Sequence, residues 1–166
     1  MQPRTHLAID RRLCGEPLDP AGTAAGTARV GLTTVHDMAV DAAGLVHGGF
    51  VFGLADHAAM LAVNHPNVVL GSAAVRFLRP VAVGERLVAE ASVAETAGRR
   101  SRVLVEVRRA AAGGAGGLEG AGDAGEAAGE VVLSGELVCF SLDRHVLGPP
   151  GESRDSRPAD PRAAAS

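Results

Sequence analysis

The chain is 166 residues long, which fits one domain with its tails. Its formal charge of -3 argues against nucleic acid as the main partner. With four Phe and no Trp or Tyr, the core must be aliphatic and a large aromatic binding platform is excluded.

All 16 basic residues are Arg, a bias of composition rather than a selected basic surface. Cys14 and Cys139, far apart, form neither a disulfide framework nor a metal-ligand spacing, so no metal is expected and a reducing cytoplasm suits them. The N-terminus lacks an apolar signal core, and the longest mostly apolar run is broken by Asp56, His57 and Asn64. Neither secretion nor a membrane span is expected.

Residues 1–28 mix Pro, Gly, Asp and Arg with little periodicity and read as a loosely ordered arm. From Arg29 to Val40, the set Val30, Leu32 and Thr34 alternates with Gly31, Thr33 and Val35, which predicts the first strand. Asp41-Ala42-Ala43-Gly44 supplies a turn. From about Gly48 to Asn64, Ala, Leu and Met dominate until His65-Pro66 stops the pattern, predicting one long helix. That helix is apolar nearly all round, so other structure should enclose it.

Strands follow at about 67–79, 85–97, 100–110 and 129–142, with the clearest alternation in Leu87, Ala89, Ala91 and Val93 and again in Val103, Val105 and Val107. Ala97-Gly98 is short enough for a hairpin turn. Between the last two strands, residues 111–129 are nearly pure Gly and Ala, too poor in apolar side chains to order themselves, and read as a flexible surface insertion. A polar tail, 148–166, opens at Gly148-Pro149-Pro150 and reads as disordered. The domain therefore spans 29–147. One enclosed helix among antiparallel strands is an α+β arrangement in which a curved sheet wraps the helix.

Chemistry concentrates in the stretch from His47 to Asp56. Gly48 and Gly49 fall at the helix start, where the first amide N–H groups lack internal partners and the helix dipole is positive. Such amides can hold an oxygen more tightly as it becomes anionic, although two glycines also suit a plain tight turn. Asp56 is the only carboxylate between Gly48 and Asn64, and an acid in an enclosed apolar helix needs either a partner or a task. Gly48 and Asp56 lie eight residues apart, about 12 Å along a helix, too far to act on one carbonyl from the same chain. A two-fold dimer with antiparallel helices would bring Gly48 of one chain opposite Asp56 of the other.

The order of strand, His-Gly-Gly, apolar helix bearing Leu-Ala-Asp, then Phe77-Leu78-Arg79-Pro80-Val81 and Gly84-Glu85 resembles the hotdog-fold thioesterases of the PaaI-like branch, over about residues 30–142. The resemblance implies a hotdog fold and hydrolysis of an acyl-CoA. It implies a homodimer or homotetramer with shared sites and no cofactor, coenzyme A being part of the substrate. It gives Asp56 the role of general base or nucleophile. One departure is Asp41, where several relatives have Asn; it can raise the pKa of Asp56 by like-charge repulsion or simply sit in the turn.

His47 can cap the helix or orient the acyl group. His57 points about 100° away from Asp56 and serves another face. Asn64 can bind water or cap the helix end, and Ser72 can bind a nucleophilic water or lie at the surface. Phe50 and Leu54, with Val51 and Met60, are candidates for the acyl pocket. For the CoA phosphates, which need cationic donors at a solvent-facing mouth, Arg79 and Arg100 lead Arg76, Arg99 and Arg102. A hotdog hydratase or dehydratase, and a non-catalytic acyl-CoA-binding module, are the alternatives. Asp56 in Leu-Ala-Asp disfavours both.

Overall fold

The computed structural model describes residues 2–18, 24–110 and 129–148. The later strand-forming runs lie where their alternation places them, as β3 (Val68–Phe77), β4 (Arg86–Ala97), β5 (Arg100–Arg109) and β6 (Val131–Ser141), and the first long strand is β2 (Thr27–Thr33). Together with a two-residue strand, β1 (Glu16–Pro17), they form one six-stranded sheet in the order β1-β2-β4-β5-β6-β3, antiparallel at every pairing. The sheet curves around one long helix, α2 (Gly48–Val63), and the whole is an α+β hotdog fold.

Most of the helix is enclosed because its composition is apolar nearly all round. Leu54, Ala55, Ala58 and Ala59 are fully buried, packed with the inward residues of the sheet: Leu87 and Ala89 of β4, Val103 and Val107 of β5, and Leu133 and Leu137 of β6. Burying a Leu or Val side chain contributes about 1.5–3 kcal/mol, so this aliphatic core carries the fold without aromatic help. Small Ala side chains on α2 let the helix sit close to the concave face.

The first strand was expected to run from Arg29 to Val40 but ends at Thr33. The Thr34 hydroxyl donates to Ala82 O at 2.7 Å, and Thr34 N to Glu85 O at 2.9 Å, which ties the chain to the loop after β3. A 3-10 turn over His36–Met38 follows and buries Met38. Bridges Ala39↔Val46 and Leu45↔Ala82 then deliver the chain to the start of α2.

The arm expected to be loosely ordered contains a short helix, α1 (Arg11–Cys14), and β1, both docked. Buried His57 anchors it, its Nδ1 lying 3.0 Å from Cys14 O and its ring 6.0 Å from that of His6. Asn64, in the left-handed conformation at the end of α2 with φ 50°, accepts from Arg4 N at 2.7 Å and donates to Gln2 O at 3.0 Å. Residues that cap and fill one end of α2 thus order the arm, a long-range effect with no local periodicity to announce it. Nearly all of the expected insertion at 111–129 and tail at 148–166 lies outside the described residues. No described helix is long and apolar enough to cross a membrane.

The sheet ends on β3, which pairs with β6 along one side. Gly71, Ser72, Ala73, Ala74, Arg76 and Phe77 are all exposed on it, leaving an open edge ten residues long. Its middle, Gly71 to Ala74, is small and uncharged, and a strand edge unpaired among the described residues is a template for another strand.

Candidate active site

The start of α2 is built by its own residues. His47 precedes the first helical turn in extended conformation, and its Nδ1 accepts a hydrogen bond from Gly49 N at 2.8 Å. The imidazole takes the place that Ser, Asp or Asn usually fills at a helix N-cap. Glycine at 49 is required by that closeness, because a Cβ there would lie 2.6 Å from His47 Nδ1. His47 is exposed and meets half-buried Phe50 edge to face, with ring centroids 6.3 Å apart.

With the Gly49 amide occupied, the Gly48 N–H is the donor left over. It makes no hydrogen bond among the described residues, while Val46 N and His47 N on either side of the turn donate to Val81 O and Met38 O. Gly48 lines a cleft of ≈ 310 Å³, together with Val46, Val51, Phe77, Arg79 and Val81 among others. A Cβ on Gly48 would come within 3.1 Å of the Phe77 ring, so glycine keeps this side of the cleft open. Among the described residues Arg79 is the one that brings a charge to the lining.

Two turns along the helix, Asp56 presents a carboxylate whose Oδ1 is buried and makes no hydrogen bond. Burial alone pushes its pKa up to about 6. Among the described residues no neighbouring cation offsets that penalty, and Asp41 does not add to it. The Asp41 carboxylate lies in its own turn, exposed, accepting from Ala43 N at 3.0 Å and Leu45 N at 3.1 Å. Burial also holds the Cys139 thiol up at about 11, with the charge of Asp56 adding to it, so Cys139 is no thiolate nucleophile.

Gly49, Phe52, Gly53 and Asp56 recur at helical spacing and form a stripe of α2 that is not fully buried. A Cβ on Gly53 would meet nothing within 4 Å. This stripe runs along one face of the helix from Gly49, next to the free Gly48 amide, to Asp56. Sequence spacing separates these two groups, and the helix keeps them apart.

Of the other candidates, Leu54 is fully buried and faces Gly15, where a Cβ would lie 2.6 Å from its Cδ1, so it belongs to the core beneath the arm. Asn64 has both ends of its amide committed to residues 2–4. Ser72 is exposed on the open edge of β3, beside a bulge, and Arg100 is exposed where β5 begins. Arg79 donates from Nε to Glu130 Oε1 at 2.7 Å and from Nη1 to Leu78 O at 2.8 Å. Glu130, a residue that sequence reasoning passed over, gave no signal because its partner is 51 positions away. Among the described residues no three His, Cys, Asp or Glu side chains converge as a metal site requires.

Comparison with known proteins bears on these features. The model of the family described as "Thioesterase superfamily" matches residues 43–113, which include His47 to Asp56 and the cleft wall. Protein PH1136 of Pyrococcus horikoshii is 46% identical, with a TM-score of 0.73 over 89% of this chain and 97% of that one. A mutant of the phenylacetic acid degradation protein PaaI from Thermus thermophilus is 27% identical, with a TM-score of 0.60 over 78% of this chain and 95% of that one. A segment of methylthioribose-1-phosphate isomerase from Aquifex aeolicus is 52% identical over 106 residues, 64% of this chain but 23% of that protein. The chain spans between 23% and 32% of the length of the curated relatives it matches.

Proposed function

The chain belongs to the hotdog-fold thioesterase superfamily, in its PaaI-like branch, and from that premise we propose that it hydrolyses an acyl-CoA to the free acid and CoA at two equivalent sites shared across a homodimer. The observation that carries this reading is the Asp56 carboxylate, buried with an unpartnered oxygen and a pKa pushed up to about 6. A general base is most effective when its pKa lies near the working pH.

The open edge of β3 and the incompletely covered stripe of α2 both support a second copy as the partner. Pairing β3 to β3 about a two-fold axis continues the sheet and lays the two helices antiparallel, so the Gly48 end of one meets the Asp56 region of the other. Eight residues of helix, about 12 Å, separate the two groups within one chain, and the dimer closes that gap.

In this arrangement the thioester carbonyl oxygen accepts a hydrogen bond from Gly48 N–H, whose dipole is aimed where negative charge develops. Asp56 of the partner takes a proton from a water molecule as its oxygen attacks the carbonyl carbon. The C–S bond then breaks, and the proton leaves with the CoA thiolate. Water and thioester become acid and thiol, and no cofactor is consumed. The acyl group lies against apolar residues of the cleft, and the CoA leads out past Arg79. A cytoplasmic setting suits the two free cysteines.

The test is a panel of aliphatic and aromatic acyl-CoA thioesters offered to the wild type and to Asp56→Ala. We expect hydrolysis of at least one class and a loss of at least about a hundredfold in the variant. A wild type that hydrolyses none, or an Asp56→Ala variant at full rate, overturns the reading. Label found in Asp56 after a single turnover in ¹⁸O water identifies a nucleophile whose acyl anhydride water opens at the aspartyl carbonyl.

A further inference from the structure

Arg79 stands at the cleft as one end of a relay of alternating charges. Glu130 divides its carboxylate between two guanidiniums: Oε1 accepts from Arg79 Nε at 2.7 Å, and Oε2 accepts from Arg109. Arg109 also donates to the carbonyl of Pro80 and, at 3.1 Å, to Glu85 Oε2. Glu85 Oε2 in turn accepts from Ala82 N at 3.2 Å. Backbone bonds close the arrangement, Arg109 N to Glu130 O at 3.0 Å and Leu78 N to Val132 O at 2.8 Å.

The segment held in this way includes residues 78–81, which line the cleft together with Gly48. A free arginine at a surface samples many rotamers, and ordering it on a ligand costs about 2 kcal/mol of side-chain entropy. Arg79 is held in advance at two of its nitrogens, and its Nη2 makes no hydrogen bond among the described residues. Arg109 is the less exposed guanidinium, 25% against 58% for Arg79, and fastens Glu130 from behind.

We propose that Glu130 is a positioning residue for CoA recognition: it holds the Arg79 guanidinium at the mouth of the cleft with a nitrogen turned outward for a phosphate oxygen of the CoA diphosphate. This rests on the acyl-CoA reading above, but it concerns binding of CoA rather than cleavage. Arg109 acts one step further back, by fixing Glu130 and the Pro80 carbonyl. Replacing Glu130 with Gln keeps the size but sets an NH₂ against a guanidinium, so one of the two arginines must let go.

The test is a double-mutant cycle read as the Kd of CoA itself, by titration calorimetry, for the wild type, Arg79→Ala, Glu130→Gln and both together. We expect each single variant to weaken CoA about tenfold, the scale of one charge-assisted hydrogen bond, and the double variant to be no weaker than Arg79→Ala. Glu130→Asp, which keeps the charge but withdraws it by one methylene, should weaken CoA less than Glu130→Gln. Pantetheine, which lacks the phosphates, gives the contrast: its affinity should not follow the cycle. Losses that multiply in the double variant, a Glu130→Gln affinity equal to or above wild type, or equal losses for pantetheine overturn the proposal. A wild type that does not bind CoA sinks both this proposal and the acyl-CoA reading. A protein that shows the coupled cycle yet cleaves no thioester loses only the hydrolytic reading, and active enzyme with an uncoupled cycle loses only the role of Glu130.

Discussion

His47 Nδ1 accepts the Gly49 amide at 2.8 Å, so the first turn of α2 is capped by its own preceding side chain and the Gly48 N–H is left as the free donor. Loss of an N-cap costs about 0.5–2 kcal/mol. His47→Ala should lower the unfolding free energy by that amount, and His47→Asn, which can cap in the same way, should recover it in urea melts. Hydrolysis assays on both variants then read the catalytic share of His47: an Asn variant that is stable but slow assigns the imidazole a role beyond the cap.

Asp56 makes stability depend on pH in a direction opposite to the usual carboxylate. Its pKa rises from 3.8 unfolded to about 6 folded, so the folded chain binds the proton more tightly. Below about pH 4 both states are protonated and the group costs nothing. Between about pH 4 and pH 6 the folded state acquires a penalty that reaches about 3 kcal/mol and stays at that level above 6. Asp56→Asn should be more stable than the wild type at pH 7 and lose that advantage near pH 4, as urea midpoints will read. His57, whose pKa burial lowers, acts oppositely by destabilising the fold as pH falls below its ordinary 6.5, so only the difference between the two proteins isolates Asp56. For the proposed base, kcat/KM should rise with pH through about 6.

Shared sites make a separate prediction. Gly48→Val, whose side chain meets Phe77, and Asp56→Ala should each be inactive alone. Unfolded together and refolded as a mixture, half of the dimers are mixed and each restores one of its two sites. Activity should return to about a quarter of the wild type. No recovery in mixtures shown by mass to contain mixed dimers would place Gly48 and Asp56 in one chain's site.

The edge of β3 is tested by charge. Ala73→Lys with Ala74→Lys places on the open edge the residue that blocks strand pairing. We expect a monomer in sedimentation velocity at concentrations where the wild type is a dimer, with hydrolysis lost.

The arm is tested at Gly15. It has φ 88°, and a Cβ would lie 2.6 Å from Leu54 Cδ1 and 2.8 Å from Gly31 O. Gly15→Ala combines the strain of a backbone conformation open essentially to glycine alone, about 1–3 kcal/mol, with a clash. It should lower stability by at least that amount and raise amide exchange in residues 2–18 before the rest of the fold.

The sequence by itself determined the elements and their class, because period-two alternation in β4 and β5 and an unbroken apolar run in α2 are local consequences of which faces must be buried. It also placed Gly48 at a helix start and Asp56 two turns along, since a helix has a fixed rise per residue. Tertiary structure decided what each group meets. That Asn64 and His57 bind the arm and that Glu130 holds Arg79 depend on residues brought together from 43 to 62 positions away, the orphaned oxygen of Asp56 depends on what buries it, and Asp41 stays in its own turn because a loop closes on itself. Such meetings leave no periodic trace, because burial and hydrogen bonding at those sites are set by the packing of distant elements rather than by the spacing of neighbours.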